Sequence, residues 1–152
     1  MTLTPCVRRF TPQDQPGVVA LWQLVFPDEP EWNESNALIR TKLTVQPELF
    51  FVCEWDNRLV GTVIAGFDGV RGWVHKVACH PDAQRNGVAR LLMEAAESAL
   101  AALGCNKLNL QVRAGNHSAL AFYQAAGYQI EDRISLGKHL VAPTDLQPER
   151  AI

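Results

Sequence analysis

The apolar period of this chain changes once between Leu49 and Leu103, and that change limits the possible folds more than any other feature. Leu49 to Trp55, Leu59 to Phe67 and Trp73 to Cys79 read as three strands, joined by Asp56-Asn57 and by Asp68-Gly69 with Gly72. Connections this short make antiparallel neighbours, since a parallel pair needs a crossover of about a dozen residues or more. From Gly87 the spacing becomes helical: Val88, Leu91, Leu92, Ala95, Ala99 and Leu103 fall on one face, with Gly104 placed to cap the C-terminus.

Around this centre the patterns are shorter. Cys6 to Phe10 reads as a first strand, and Thr11, Pro12 and Asp14 open a helix whose stripe is Val18, Val19, Trp22, Val25 and Phe26. The helix ends before Pro27; Pro27 to Asn33 suits an exposed loop and Ala37 to Val45 a second helix. Leu108 to Val112 is a strand, Ser118 to Ala126 a short helix closed by Gly127, and Tyr128 to Leu140 a last strand or strand pair. The expected class is α/β (α+β), a mixed, mostly antiparallel sheet flanked by helices. One domain over 1–140 and an irregular tail over 141–152 follow from length and pattern.

A net charge of -2 with mixed signs leaves no broad basic face, which argues against a nucleic-acid partner. Neither a signal-like nor a membrane-spanning apolar run is present, so the expectation is a cytoplasmic protein without a membrane partner. Cys6, Cys53, Cys79 and Cys105 are widely spaced, lack CxxC spacing and lie in or beside core-like segments, as four buried thiols would.

The segment from His80 to Ala89 joins a strand end to the long helix through a polar loop. Such a junction points unpaired amides and the positive end of the helix dipole at one spot, where an anion can sit. Gly87 lets the backbone approach a ligand without a Cβ, and Ala89 is small for the same reason.

Gln84-x-x-Gly87-x-Ala89, after Val77-Ala78-Cys79-His80-Pro81, resembles motif A of the GNAT N-acetyltransferase superfamily, Q/R-x-x-G-x-G/A. Asn116 through Tyr128 resembles the same superfamily's N-x-x-A-x-x-F-Y-x-x-x-G-Y/F segment, and element order agrees from about Val7 to Leu140. Val60 to Val63, Gly66 to Gly72 and Ser135 to Lys138 are similar to a branch of small stand-alone bacterial members. The resemblance implies an acetyl-CoA-dependent N-acetyltransferase whose sheet splays between its fourth and fifth strands to admit the cosubstrate. It implies main-chain contacts to the cofactor arm at Val77, Ala78 and Cys79. It further implies a pyrophosphate site over Gln84, Arg85, Asn86, Gly87, Val88, Ala89 and Arg90. A main-chain N–H near Val77 would polarise the thioester carbonyl, and Tyr123 would protonate the departing thiolate. Asn116 has two readings, helix cap and contact to the cofactor arm.

An acceptor amine must lose a proton, and His75, Glu54 and a water chain are the candidate routes. By a strict two-residue period His75 shares a face with Trp73, Val77 and Cys79. In the branch that acetylates ribosomal-protein N-termini an L-E-V-R-x-x-N pattern carries a glutamate base. This chain has Gln111 there, in Leu110-Gln111-Val112-Arg113, and an amide cannot take the proton. Asp28, Glu29, Glu31 and Glu34 interleave with Phe26 and Trp32, so Phe26, Glu29 and Trp32 are candidate contacts to a cationic acceptor. His80, His117 and His139 show no metal-ligand spacing, and no metal is expected. The expected acceptor is a small-molecule amine or a peptide, with a homodimer possible. Protein or peptide N-acetylation, use of a longer acyl-CoA and a non-catalytic acyl-CoA-binding module are the alternatives.

Overall fold

The computed structural model describes residues 4–30 and 34–142. Five strands form one sheet in the order β1 (Cys6–Arg9), β2 (Phe50–Trp55), β3 (Arg58–Phe67), β4 (Gly72–Cys79) and β5 (Leu108–Asn109). The first four pair antiparallel, and β5 lies parallel to β4. Helices α1 (Gln15–Val25), α2 (Ser35–Lys42), α3 (Val88–Ala102) and α4 (His117–Ala125) flank it. This is the mixed, mostly antiparallel architecture that the period change requires.

Strand β2 is buried on both faces and divides the core. Phe51 and Cys53 point to the side covered by α3, with Val63, Ala65, Val74, Val88, Leu92 and Leu100. Phe50 and Val52 point to the side covered by α1 and α2, with Val18, Leu21, Trp22, Ile39, Ile64 and Ala78. The Phe50 ring stacks on Phe10 at 4.3 Å between centroids. The buried face of α3 runs through Val88, Leu92, Ala96 and Leu100, so Leu103, expected on it, is 47% exposed. The i+4 row that meets the sheet drifts off its last turn. Gly61 lies where α3 crosses β3; a Cβ there would stand 2.7 Å from Val88 Cγ1 and 2.8 Å from Leu92 Cδ1.

Polar side chains tie the layers at their ends. The Arg8 guanidinium donates to Asp14 (Nη1–Oδ2 2.8 Å, Nη2–Oδ1 2.8 Å) and to Glu54 (Nε–Oε1 2.7 Å), joining β1, the start of α1 and β2. Gln46 closes the end of β3 as an extra strand residue would: its Nε2 donates to the Phe67 carbonyl and its Oε1 accepts from the Phe67 amide.

Two expectations need correction. Tyr128 to Leu140 forms neither a strand nor a strand pair: among the described residues its backbone joins no ladder, and β5 ends at Asn109 rather than at Val112. Alternation of apolar residues does not by itself make a strand; a ladder partner must accept the amides, and this segment pairs with none among the described residues. Nor are all four thiols buried. Cys53 is, Cys79 and Cys105 are half-buried, and Cys6 faces solvent at the edge of the sheet.

Candidate active site

Strands β4 and β5 pair only at Gly72↔Leu108 and Trp73↔Asn109 and then part. From Val74 onward β4 is paired on its β3 side alone, so the sheet opens into a cleft beside it. At the mouth of the cleft the chain leaves β4 through Pro81–Ala83 and a tight turn with Arg85 at φ 67° and Gly87 at φ 79°. The first amide after Gln84 to find a carbonyl is that of Leu91, bonded to Gly87 at 2.9 Å. The amides of Arg85, Asn86, Gly87, Val88, Ala89 and Arg90 make no close, well-aligned hydrogen bond to a carbonyl among the described residues. They form a row of donors at the positive end of a 15-residue helix. Asn86 braces the turn by donating to the Ala83 and Gln84 carbonyls. A Cβ on Gly87 would meet only the tip of Arg90 at 3.7 Å, so the positive φ, more than crowding, is what calls for glycine.

Strand β4 carries a bulge that patterning alone did not reveal. Its register against β3 jumps between Thr62↔Ala78 and Ile64↔His75, leaving Lys76 and Val77 opposite Val63, with Lys76 at φ 55°. The extra residue reverses the facing of the strand. Val77 and Cys79 pack towards α3, whereas Ala78 packs towards α1 and α2. Val74, before the bulge, also faces α3, so His75 stands on the opposite face from Val77 and Cys79, and the shared face expected from a strict two-residue period is wrong. Ala78 is 1% exposed, which leaves it only main-chain groups to offer a ligand.

A buried network pins the bulge. Trp22 Nε1 donates to Thr62 Oγ1 at 2.9 Å, and that hydroxyl donates to the Lys76 carbonyl at 2.8 Å. The Lys76 ammonium lies 4.6 Å from the Phe26 ring centroid and 3.2 Å from Glu29, which also faces Arg113 at 3.5 Å. Burial lowers the Lys76 pKa against the opposing pull of Glu29. Phe26 and Glu29 both meet a cation of the protein itself, the Lys76 ammonium. Glu34 is used as the N-cap of α2, accepting from the Asn36 and Ala37 amides. Trp32 and Glu31 lie outside the described residues. Lys76, Thr62 and Trp22 were missed; a lysine inside a strand otherwise apolar but for His75 was the one available signal.

His75 is solvent-exposed, yet the bulk of protein around its ring lowers its pKa from 6.5, and the charges of Lys42 and Lys76 lower it further. The imidazole is thus neutral at pH 7. Glu54 is held by Arg8 on β2, with β3 between it and β4. Tyr123 packs against the same core cluster as Val77 and Cys79, its ring edge-on to Phe122 and to Tyr128 at 5.1 and 5.7 Å. Burial pushes its pKa up to about 12, and its hydroxyl has no hydrogen-bond partner among the described residues. Asn116 caps α4 by accepting from the Ala119 amide at 3.2 Å. Gln111 donates to Ser135 Oγ. Among the described residues no group of His, Cys, Asp and Glu is arranged to hold a metal ion, and no helix is long and apolar enough to cross a membrane.

The sheet thus opens beside the start of α3, with the half-buried Tyr123 packed on the α3 side of the sheet. The model of the acetyltransferase (GNAT) family matches residues 16–128, and the chain belongs to that family. It is 38% identical over 135 residues to an acetyltransferase of Yersinia enterocolitica, covering 89% of this chain and 95% of that one. The ribosomal-protein-S18-alanine N-acetyltransferase of Escherichia coli superposes with a TM-score of 0.66 at 25% identity, over 82% of this chain and 77% of that one. AAC(6')-Iy in complex with the bisubstrate analogue CoA-S-monomethyl-acetylneamine shares the fold, with a TM-score of 0.75 at 16% identity over 90% and 99%. The protein is an acetyl-CoA-dependent acetyltransferase with close bacterial relatives.

Proposed function

We propose that the chain, working as one unit over 1–140 in the cytoplasm, transfers acetyl from acetyl-CoA directly to the primary amine of a small-molecule or amino-acid-like acceptor in a ternary complex. The row of unpaired amides from Arg85 to Arg90 carries the reading, because a pyrophosphate supplies the acceptors that the protein does not. The pantetheine arm then lies along the open edge of β4 and bonds main-chain groups of Val77, Ala78 and Cys79. The bulge held by Thr62 turns an amide near Val77 towards the thioester carbonyl, and a fixed donor of that kind contributes about 3 kcal/mol.

An alkyl amine of pKa about 10.4 is mostly protonated at pH 7, which costs roughly 4.6 kcal/mol before attack. Once neutral, its nitrogen bonds to the carbonyl carbon, the carbon–sulfur bond breaks and the sulfur leaves with the electron pair. Tyr123 donates to that sulfur. Its pKa of about 12 lies above the reference thiol value of about 8.5, but the burial that raises one also raises a thiolate in the same cleft. Asn116 caps α4 through its side-chain oxygen, leaving its Nδ2 for the cofactor arm. The acceptor's proton leaves through neutral His75 or through water. Gln111, an amide tied to Ser135, weighs against the protein N-terminal branch.

Release of coenzyme A thiol, followed against polyamines, amino acids, aminoglycosides and peptides, tests the reading. Turnover with a small amine is expected. Turnover with peptides alone would overturn the acceptor class, and tight acetyl-CoA binding without any release would make the chain a binding module.

A further inference from the structure

Strand β4 is open on its β5 side from Val74 onward, and the opening has two faces. Tyr123 packs on the α3 face. On the other face, where Trp22 and Phe26 pack, an ion cluster crosses the gap. Lys76 belongs to β4, Arg113 to the segment that follows β5, and Glu29 to the loop after α1. Both cations reach the same oxygen: Glu29 Oε2 is 3.2 Å from Lys76 Nζ and 3.5 Å from Arg113 Nη2. Close charge-assisted pairs lie at about 2.7–2.9 Å, so each of these two cations holds the carboxylate loosely. Side-chain exposure rises from 8% at Lys76 through 20% at Glu29 to 66% at Arg113. A buried ammonium is thus backed by a guanidinium that reaches solvent, the arrangement that meets an anion entering from outside. Among the described residues two positive charges share one negative charge at this corner, whereas Lys42 of α2 is opposed by Glu48. An acceptor ammonium would meet that excess unfavourably, and the Phe26 ring suited to it already lies 4.6 Å from Lys76.

We propose that the acceptor is a small amino carboxylate whose carboxylate takes the place of Glu29 between Lys76 and Arg113, which makes these two cations the specificity-determining residues. This anion site rests on the acetyl transfer proposed above and adds to it the second functional group of the acceptor. Lys76 is covalently next to Val77, whose amide faces the thioester in that reading, so a molecule anchored at the Lys76 ammonium is tethered beside the reacting carbonyl. The planar guanidinium of Arg113 can match two N–H donors to the two oxygens of a free carboxylate, a closer fit than its 3.5 Å contact to Glu29. The same two charges disfavour the protonated form of an amine bound alongside them, and so raise the share of neutral nitrogen able to attack.

Titration calorimetry on the full chain saturated with coenzyme A, using glycine, β-alanine and 4-aminobutyrate against their carboxamides, tests the site without turnover; thiol release with the same compounds measures transfer. At least one acid should bind about tenfold or more tighter than its carboxamide and be acetylated with the lower KM. Arg113→Gln, at an exposed position, should erase that preference by weakening the acid alone, and Glu29→Gln should strengthen it, with acetyl-CoA affinity unchanged in both. A merely structural role would move the two variants in the same direction. Equal binding of acid and carboxamide in every pair, or a weakened acid in Glu29→Gln, would overturn the proposal. Transfer to amines without any preference for a carboxylate would overturn it and leave the acetyl transfer standing. Selective acid binding without thiol release would keep the anion site and overturn the transfer reading instead.

Discussion

At Tyr123, partial burial raises the pKa, and the hydroxyl meets no described side-chain partner. A phenol titrating near 12 stays a donor at every pH the enzyme meets, and no described side chain takes its proton. Tyr123→Phe keeps the edge-on ring contacts and deletes only the donor, so kcat should fall about 10²-fold or more with little change in acetyl-CoA affinity. Stopped-flow thiol release with titration calorimetry checks this, and unchanged turnover would remove Tyr123 from the acid role. Thr62 acts one step further back. Thr62→Val keeps the shape but leaves the buried Trp22 Nε1–H without an acceptor and the Lys76 carbonyl without its donor. A loss of about 1–3 kcal/mol in urea unfolding is expected, larger than a surface Thr→Val would give.

Among the elements, the start of α3 and the bulge in β4 decide the site together. The helix start was legible because its signals are local: a polar turn, Gly87, then an apolar stripe. Gly87→Glu forces a non-glycine residue to φ 79° and puts a carboxylate among the donors. Calorimetry should show acetyl-CoA binding abolished, with the far-ultraviolet circular dichroism of a folded protein; retained binding would move the phosphate site elsewhere. The bulge was not legible, because Lys76 interrupts the apolar pattern of the strand without fixing its register. It exists because Thr62 and Trp22, 40 positions apart, hold the Lys76 carbonyl out of the ladder. Only that contact puts His75 on the face opposite Val77.

Across the whole molecule, Arg8 shows how few polar ties close the layers. Its pair with Asp14 holds that carboxyl below its usual pKa, helped by the Thr11 amide. A carboxyl depressed on folding adds stability above its unfolded value of about 4 and loses it as pH falls through the folded one. Asp14→Asn should lower Tm at pH 7 by about 2–4 °C, allowing roughly 1 kcal/mol for a pair with one partly exposed member. The gap to wild type should narrow in melts below about pH 4. A gap of constant size would assign the loss to packing.

The order of elements, the antiparallel centre, the anion-binding turn and the family motifs lay in the sequence itself, because period, turn residues and helix caps act over a few residues. Which face each β4 side chain takes, that Lys76 occupies the Phe26–Glu29 corner and that residues 128–140 lie outside the sheet were decided only in three dimensions. Those outcomes depend on contacts between distant residues and on whether a strand finds a free edge, and neither leaves a mark on local pattern.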